Sequence, residues 1–161
     1  MADPGVVKPG FDSWAWRTGN AIVSLLARAG LGPIHLLTTR GRRTGGSHTV
    51  PVVPVDYDGR RWLVAPYGTV AWVRNARAEG RVHLRYGRAT HEYAVREVGA
   101  DEAGPVLKRY VTVATRTRAQ FKATKDSPVE DFVAEAHRHP VFELISRPAD
   151  PPTARASSPE P

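Results

Sequence analysis

The chain contains no cysteine, which excludes disulfides, thiol nucleophiles and thiolate metal sites together. It has no apolar run approaching the roughly 20 residues that a membrane-crossing helix needs. Its opening "MADPGVVKPG" shows no basic segment leading into an apolar stretch, so no secretory leader is expected. These absences point to a protein of the reducing cytoplasm. Lysine is scarce as well: Lys8, Lys108, Lys122 and Lys125 are the whole complement, so most of the 23 basic residues are arginine. Arginine favours the planar, forked recognition of carboxylate and phosphate. Against 16 acidic residues the formal charge is +7, which favours an anionic partner.

At 161 residues, 41% of them hydrophobic, the chain suits one domain with one sizeable core. Residues 1–10 hold Pro4, Gly5, Pro9 and Gly10 and are expected to be flexible. Asp12 or Ser13 can cap a helix running to Ala29, with Ile22, Leu25, Leu26 and Ala29 on one stripe. Strands are expected over 34–39, 49–57 and 61–66, with Pro51 and Pro54 marking an edge or bulge and Asp58-Gly59 supplying a hairpin turn. Thr69 can cap a short helix closed by Gly80, and the strands 81–86 and 90–98 turn at Gly87-Arg88. A helix from Asp101 to about Thr115 carries Leu107, Tyr110, Val111 and Ala114 on one face. "SPVE" at Ser127 to Glu130 is a second helix start, with Val129, Phe132, Val133 and Ala136 as its stripe. Pro140 stops that helix, and 141–145 reads as a last strand. The remainder, "RPADPPTARASSPEP", has too little apolar content to fold. The pattern predicts a mainly β, α+β domain over 11–146 and a disordered tail over 147–161. Its antiparallel sheet tends to close into a barrel.

One stretch, "LLTTRGRRTGGSHTVPVVPV", gathers Arg40, Arg42 and Arg43 among Gly41, Gly45 and Gly46 between two strands. It is no Walker loop, lacking the lysine followed by Ser/Thr before a helix. The glycine spacing is also wrong for a dinucleotide fingerprint, and a strand follows instead of a helix. Two readings fit the residues themselves: a solvated hairpin tip, or a loop whose backbone N–H and guanidinium groups cradle phosphate and carboxylates. A nucleic-acid module would interleave aromatic residues with the basic ones for stacking. None lies between Leu36 and Pro54.

The ordered set "LLTTRGRRTGG", "HTVPVVPV", "WLVAPYG" and "WVRNARAEGRVHLR" resembles the actinobacterial deazaflavin-dependent nitroreductase family of split-barrel flavin and deazaflavin oxidoreductases. The similarity runs from about Leu31 to Val98. The resemblance implies an antiparallel split β-barrel with flanking helices and the two-electron hydride carrier coenzyme F420, whose side chain bears a phosphodiester and a polyglutamate tail. By resemblance, Arg42 and Arg43 hold that polyanionic handle, and Thr44 and Gly45 add hydroxyl and backbone donors. Val50, Pro51, Val52 and Val53 match the strand beside the deazaflavin ring. Ala65, Pro66, Tyr67, Gly68 and Thr69 match the loop closing over it, and Trp72 and Asn75 match the family's helix. The implied activity is hydride transfer from reduced F420 to a small hydrophobic or conjugated acceptor of nitro, quinone or enone type. FMN or FAD is the alternative cofactor, and a non-catalytic flavin, haem or lipid carrier on the same barrel is the alternative role. A homodimer is a further implication.

Two departures accompany the resemblance. Tyr67 stands where some relatives carry lysine. Phe121, Phe132 and Phe142 occupy the region where nitro-reducing members are rich in tyrosine. Hydride chemistry is carried by the cofactor, so the protein is expected to orient, exclude water and supply a proton. Tyr67 is the expected catalytic donor, with His48 second. No metal is expected: His137 and His139 in "HRHP" lack a third ligand and read as cations at a helix C-terminus. Trp14 and Trp16 on the basic first helix are expected to pack on the barrel, with peripheral membrane contact as the alternative.

Overall fold

The computed structural model of the chain describes Leu25 and residues 30–147. The expected first helix with Trp14 and Trp16, the flexible start and the tail after Arg147 lie outside the described residues. Within them run β1 (His35–Arg40), β2 (Ser47–Val52), β3 (Val55–Tyr57) and β4 (Arg60–Val64), then α1 (Ala71–Glu79). There follow β5 (Arg81–Tyr86), β6 (Ala89–Glu97), α2 (Ala100–Val113), α3 (Val129–Glu135) and β7 (Val141–Ser146), with 3-10 turns at Thr115–Gln120 and Ala136–Arg138. No helix among the described residues is long and apolar enough to cross a membrane.

The strands form one antiparallel sheet in the order β2-β1-β5-β6-β7-β4-β3. Its two edges, β2 and β3, are consecutive in the chain and separated by Val53 and Pro54. The three-residue step from Val52 to Val55 spans at most about 11 Å. A flat seven-stranded sheet cannot satisfy that limit, so the sheet curls into a half-barrel. This is a split-barrel α+β fold.

The expected single strand over 49–57 is therefore two. Pro54 has no N–H to give a ladder, and the residue before a proline is restricted. The chain leaves one edge there and joins the other. Pro51 sits on β2, an edge strand, where a missing donor is tolerated. At the next turn Asp58 (φ 52°) and Gly59 (φ 68°) adopt the left-handed conformations of a two-residue hairpin, as the sequence predicts.

Two apolar clusters hold the sheet. Leu37, Leu63, Val82, Leu84, Phe142 and Leu144 pack with Trp72, Val73 and Ala76 of α1, and Val50, Val52, Tyr93 and Val95 join them. Six of the seven strands contribute, so this is the concave face, and α1 fills it. Trp62, Val64, Val55 and Val141 face the other way, against Val106, Leu107, Tyr110 and Val111 of α2 and Phe132 of α3. The period-two alternation Trp62–Leu63–Val64 thus buries both faces of β4.

Two expected caps are absent. Val70, not Thr69, is the residue before α1, and it makes no side-chain cap bond. Pro128 precedes α3; the Ser127 hydroxyl instead accepts the Thr124 N–H at 2.9 Å. α2 and α3 pack closely at Gly104, where an added Cβ would lie 2.5 Å from Val133 Cγ2 and 3.3 Å from Val129 Cγ1. Gly104→Leu is expected to destabilise by about 2 kcal/mol through overpacking and to lower Tm by roughly 8 °C. Thermal unfolding followed by circular dichroism checks this.

Candidate functional site

The loop joining β1 to β2 is closed by its own backbone. Gly41 N–H donates to the Gly46 carbonyl at 2.7 Å, and Gly45 N–H to the Gly41 carbonyl at 2.9 Å. Gly46 N–H donates to Thr44 Oγ1 at 3.3 Å. The expected Gly45 backbone donor is therefore already spent inside the loop, which corrects that assignment. The Thr44 hydroxyl, accepting from Gly46, keeps its own hydrogen to give. Arg40, Arg42 and Arg43 are exposed. Among the described residues no carboxylate pairs with any of them, whereas Arg61, Arg77 and Arg96 all have acidic partners. Three unneutralised guanidinium groups on one closed hairpin fit a ligand carrying phosphate and carboxylates.

One of them is held in place. The Asn75 side chain is buried, 2% exposed, beside Thr39 at 2%. Its Nδ2 donates to Thr39 Oγ1 at 3.2 Å, and its Oδ1 accepts from Arg42 Nη1 at 3.2 Å. Asn75 thus acts through Arg42. Trp72 is 7% exposed and packs on Phe142 with ring centroids 5.7 Å apart; it is core. Along β2 and just past its end the alternation divides the expected ring-side residues: Val50 and Val52 pack into the barrel core, Val53 packs on the α2 side, and Pro51 is half-buried opposite Leu36.

The loop Ala65–Thr69 leads from β4 into α1 and lies on the segment that enters β7. Ala65 N–H donates to the Pro140 carbonyl at 2.9 Å, and Gly68 N–H returns to the Ala65 carbonyl at 3.1 Å. Gly68 has φ 79°, and a Cβ there would meet the Arg138 carbonyl at 3.3 Å. His139 Nδ1 is bonded to the Pro66 carbonyl at 2.9 Å. A cavity of about 200 Å³ opens here, lined by Pro66, Tyr67, Gly68, Gln120, Arg138 and His139. Tyr67 is half-buried, and burial raises its phenol above the usual range. Tyr110 is pushed up to about 12, chiefly by burial and further by Tyr67 nearby; its hydroxyl accepts from Thr117 Oγ1 at 3.1 Å. Both phenols stay protonated at neutral pH.

His48 is exposed on β2, opposite Thr39, and its ring lies against Gly41, so it belongs to the arginine loop. Phe132 and Phe142, expected near a substrate pocket, are 0% and 1% exposed core residues. Phe121 alone of the three comes near, stacking on His139 with centroids 4.1 Å apart. His137 is exposed at the end of α3, with Nδ1 3.1 Å from the Ala134 carbonyl. His139 is 3% exposed, and burial lowers its pKa. It is therefore no surface cation, contrary to the sequence expectation. The helical spacing of "HRHP" gave no sign of this, because the chain leaves the helix between the two histidines.

Helix α1 ties the two loops together. Val70, where the Ala65–Thr69 loop ends, is five residues from Asn75, or about 7.5 Å along the helix axis. The helix thus carries Asn75, the partner of Arg42, little more than one turn after the loop that holds Tyr67. Asn75→Ala is expected to cost about 1–3 kcal/mol, because it leaves the Thr39 hydroxyl buried without its partner. The double variant Thr39→Val with Asn75→Leu should recover most of that loss, measured by chemical denaturation.

A sequence model of the F420H2-dependent quinone reductase family matches residues 12–135. Among solved structures, a domain-swapped dimer is 20% identical, with 81% of this chain and 97% of that one covered and a TM-score of 0.50. A protein of unknown function, Atu2129 from Agrobacterium tumefaciens str. C58, is 17% identical over 89% of this chain and 59% of that one, at TM-score 0.53. A structure described as an F420-H2 dependent reductase, FDR-A, is 22% identical over 70% and 93%, at TM-score 0.49. The first two likenesses bear on the fold, and the family follows from the sequence match over most of the chain. With its arginine loop and split barrel, the chain belongs to the F420H2-dependent quinone reductase family, whose cofactor is coenzyme F420.

Proposed function

We propose that this F420-dependent reductase delivers a hydride to a planar carbonyl acceptor of the quinone class. The observation that carries the reading is the uncompensated arginine loop, braced through Asn75 and Arg42 to the helix that begins beside Tyr67. Arg42, Arg43 and the Thr44 hydroxyl bind the polyanionic handle. Half-buried Pro51, backed by Val50, Val52 and Val53, and the loop Ala65–Thr69 frame the ring with an apolar surface that excludes water. When bound, the coenzyme supplies the hydride. Reducing a quinone to a hydroquinone takes that hydride and one proton overall. Tyr67 Oη, kept protonated by burial, gives one proton to the acceptor oxygen and recovers it from solvent.

The quinone reading is favoured over nitro reduction by the family match. A homodimer belongs to the same reading, one fold neighbour being a domain-swapped dimer. FMN, FAD and haem are the competing ligands, and a titration panel against F420 separates them.

Removing two charge-assisted contacts of about 1.5 kcal/mol each predicts that Arg42→Ala with Arg43→Ala weakens F420 binding roughly 100-fold. Coenzyme fluorescence measures the affinity, and an unchanged value overturns the assignment of the handle site. Tyr67→Phe should leave the F420 dissociation constant unaltered while lowering kcat for quinone reduction about 100-fold. A wild-type kcat in that variant would remove Tyr67 as the donor.

A further inference from the structure

The loop that carries Tyr67 is not self-supporting. It lies on residues 138–140 through three contacts: Ala65 N–H to the Pro140 carbonyl, the Gly68 α-carbon beneath the Arg138 carbonyl, and the Pro66 carbonyl against His139. The first is a plain backbone bond, and the second asks only that residue 68 be glycine. The third depends on one side chain, in the peptide just before Tyr67.

A carbonyl only accepts, so His139 Nδ1 must carry the hydrogen in this bond. The ring's other nitrogen, Nε2, is buried and has no hydrogen-bond partner among the described residues. It lies 3.7 Å from Glu135 Oε2. That carboxylate is already satisfied by the Lys122 and Ala123 N–H groups, both at 3.0 Å, so it does not need an imidazolium. Burial disfavours a charged ring and outweighs the Glu135 carboxylate, which favours one, so the balance lies on the neutral side. Stacking on Phe121 fixes the ring plane. The arrangement selects the neutral Nδ1–H tautomer. Second-partner geometry of this kind sets the orientation of catalytic groups elsewhere in proteins.

We propose that His139 is a positioning residue for the proton donor: as the neutral Nδ1–H tautomer it grips the Pro66 carbonyl and thereby sets where the Tyr67 hydroxyl stands. The inference rests on Tyr67 acting as donor in the proposed reaction, but the grip itself is observable without turnover.

The decisive experiment uses the full chain. Long-range ¹H–¹⁵N spectra at neutral pH should show His139 protonated at Nδ1 and bare at Nε2; an Nε2–H ring or an imidazolium overturns the proposal. His139→Leu should speed amide exchange at Gly68 about tenfold and lower kcat about tenfold, with the F420 dissociation constant within twofold of wild type. His139→Asn keeps a donor near the Nδ1 position but loses the stacking on Phe121, and it should restore both values. Wild-type exchange in His139→Leu, or failure of Asn to rescue, would assign His139 to packing alone. If either variant does not fold, the wild-type tautomer decides. If no acceptor is reduced with F420 while the tautomer and exchange results hold, the reaction is wrong and the grip stands.

Discussion

Val53 and Pro54 carry the chain from one edge of the sheet to the other, and the shape of the molecule follows from how short that step is. Strand order alone describes a ribbon with β2 and β3 at opposite margins. Two residues cannot bridge such a ribbon unless it bends back on itself. The bend creates a concave face, and that face must be filled. Helix α1, inserted between β4 and β5, fills it with Trp72, Val73 and Ala76. The convex side is exposed only where α2 and α3 do not cover it, so the end of β4 and the start of β7 become buried on both faces.

Filling the concave face also builds the site. The same helix that plugs the barrel presents Asn75 to the end of β1 and takes its start from the loop holding Tyr67. A buried amide that uses Oδ1 on Arg42 and Nδ2 on Thr39 converts an exposed hairpin tip into a fixed cation. In the proposed reading, cofactor grip and proton supply are thereby referred to one rigid element. Chemistry that a bound coenzyme brings with it needs little more from the protein than this: orientation, exclusion of water and a correctly placed hydrogen.

Much of this was legible before any coordinates. The Asp58-Gly59 and Gly87-Arg88 turns, the antiparallel strands and the three described helices are local features, governed by backbone conformation and by hydrophobic period. The arginine loop was visible for the same reason, since its three guanidinium groups are neighbours in the chain. Less local features differ from what the sequence implies. Thr69 and Ser127 have the chemistry of caps but lie one residue too early. Gly45 has a free amide in principle, yet the loop closes on itself and uses it. Phe132 and Phe142 are sequence neighbours of the site region and core residues in space.

The sequence by itself determined that this chain forms an antiparallel α+β domain with a concentrated cationic hairpin, because turns, periodicity and charge spacing act over a few residues. Only the tertiary structure decided that β2 and β3 are opposite edges, that Asn75 braces Arg42 across 33 positions, and that His139 is a buried ring bonded to the Pro66 carbonyl, 73 positions away. Contacts of that separation are chosen by which surfaces the curled sheet brings together. Composition and spacing carry no record of that choice, because the same histidine at a helix end would be an ordinary surface cation if the loop before α1 did not fold across it.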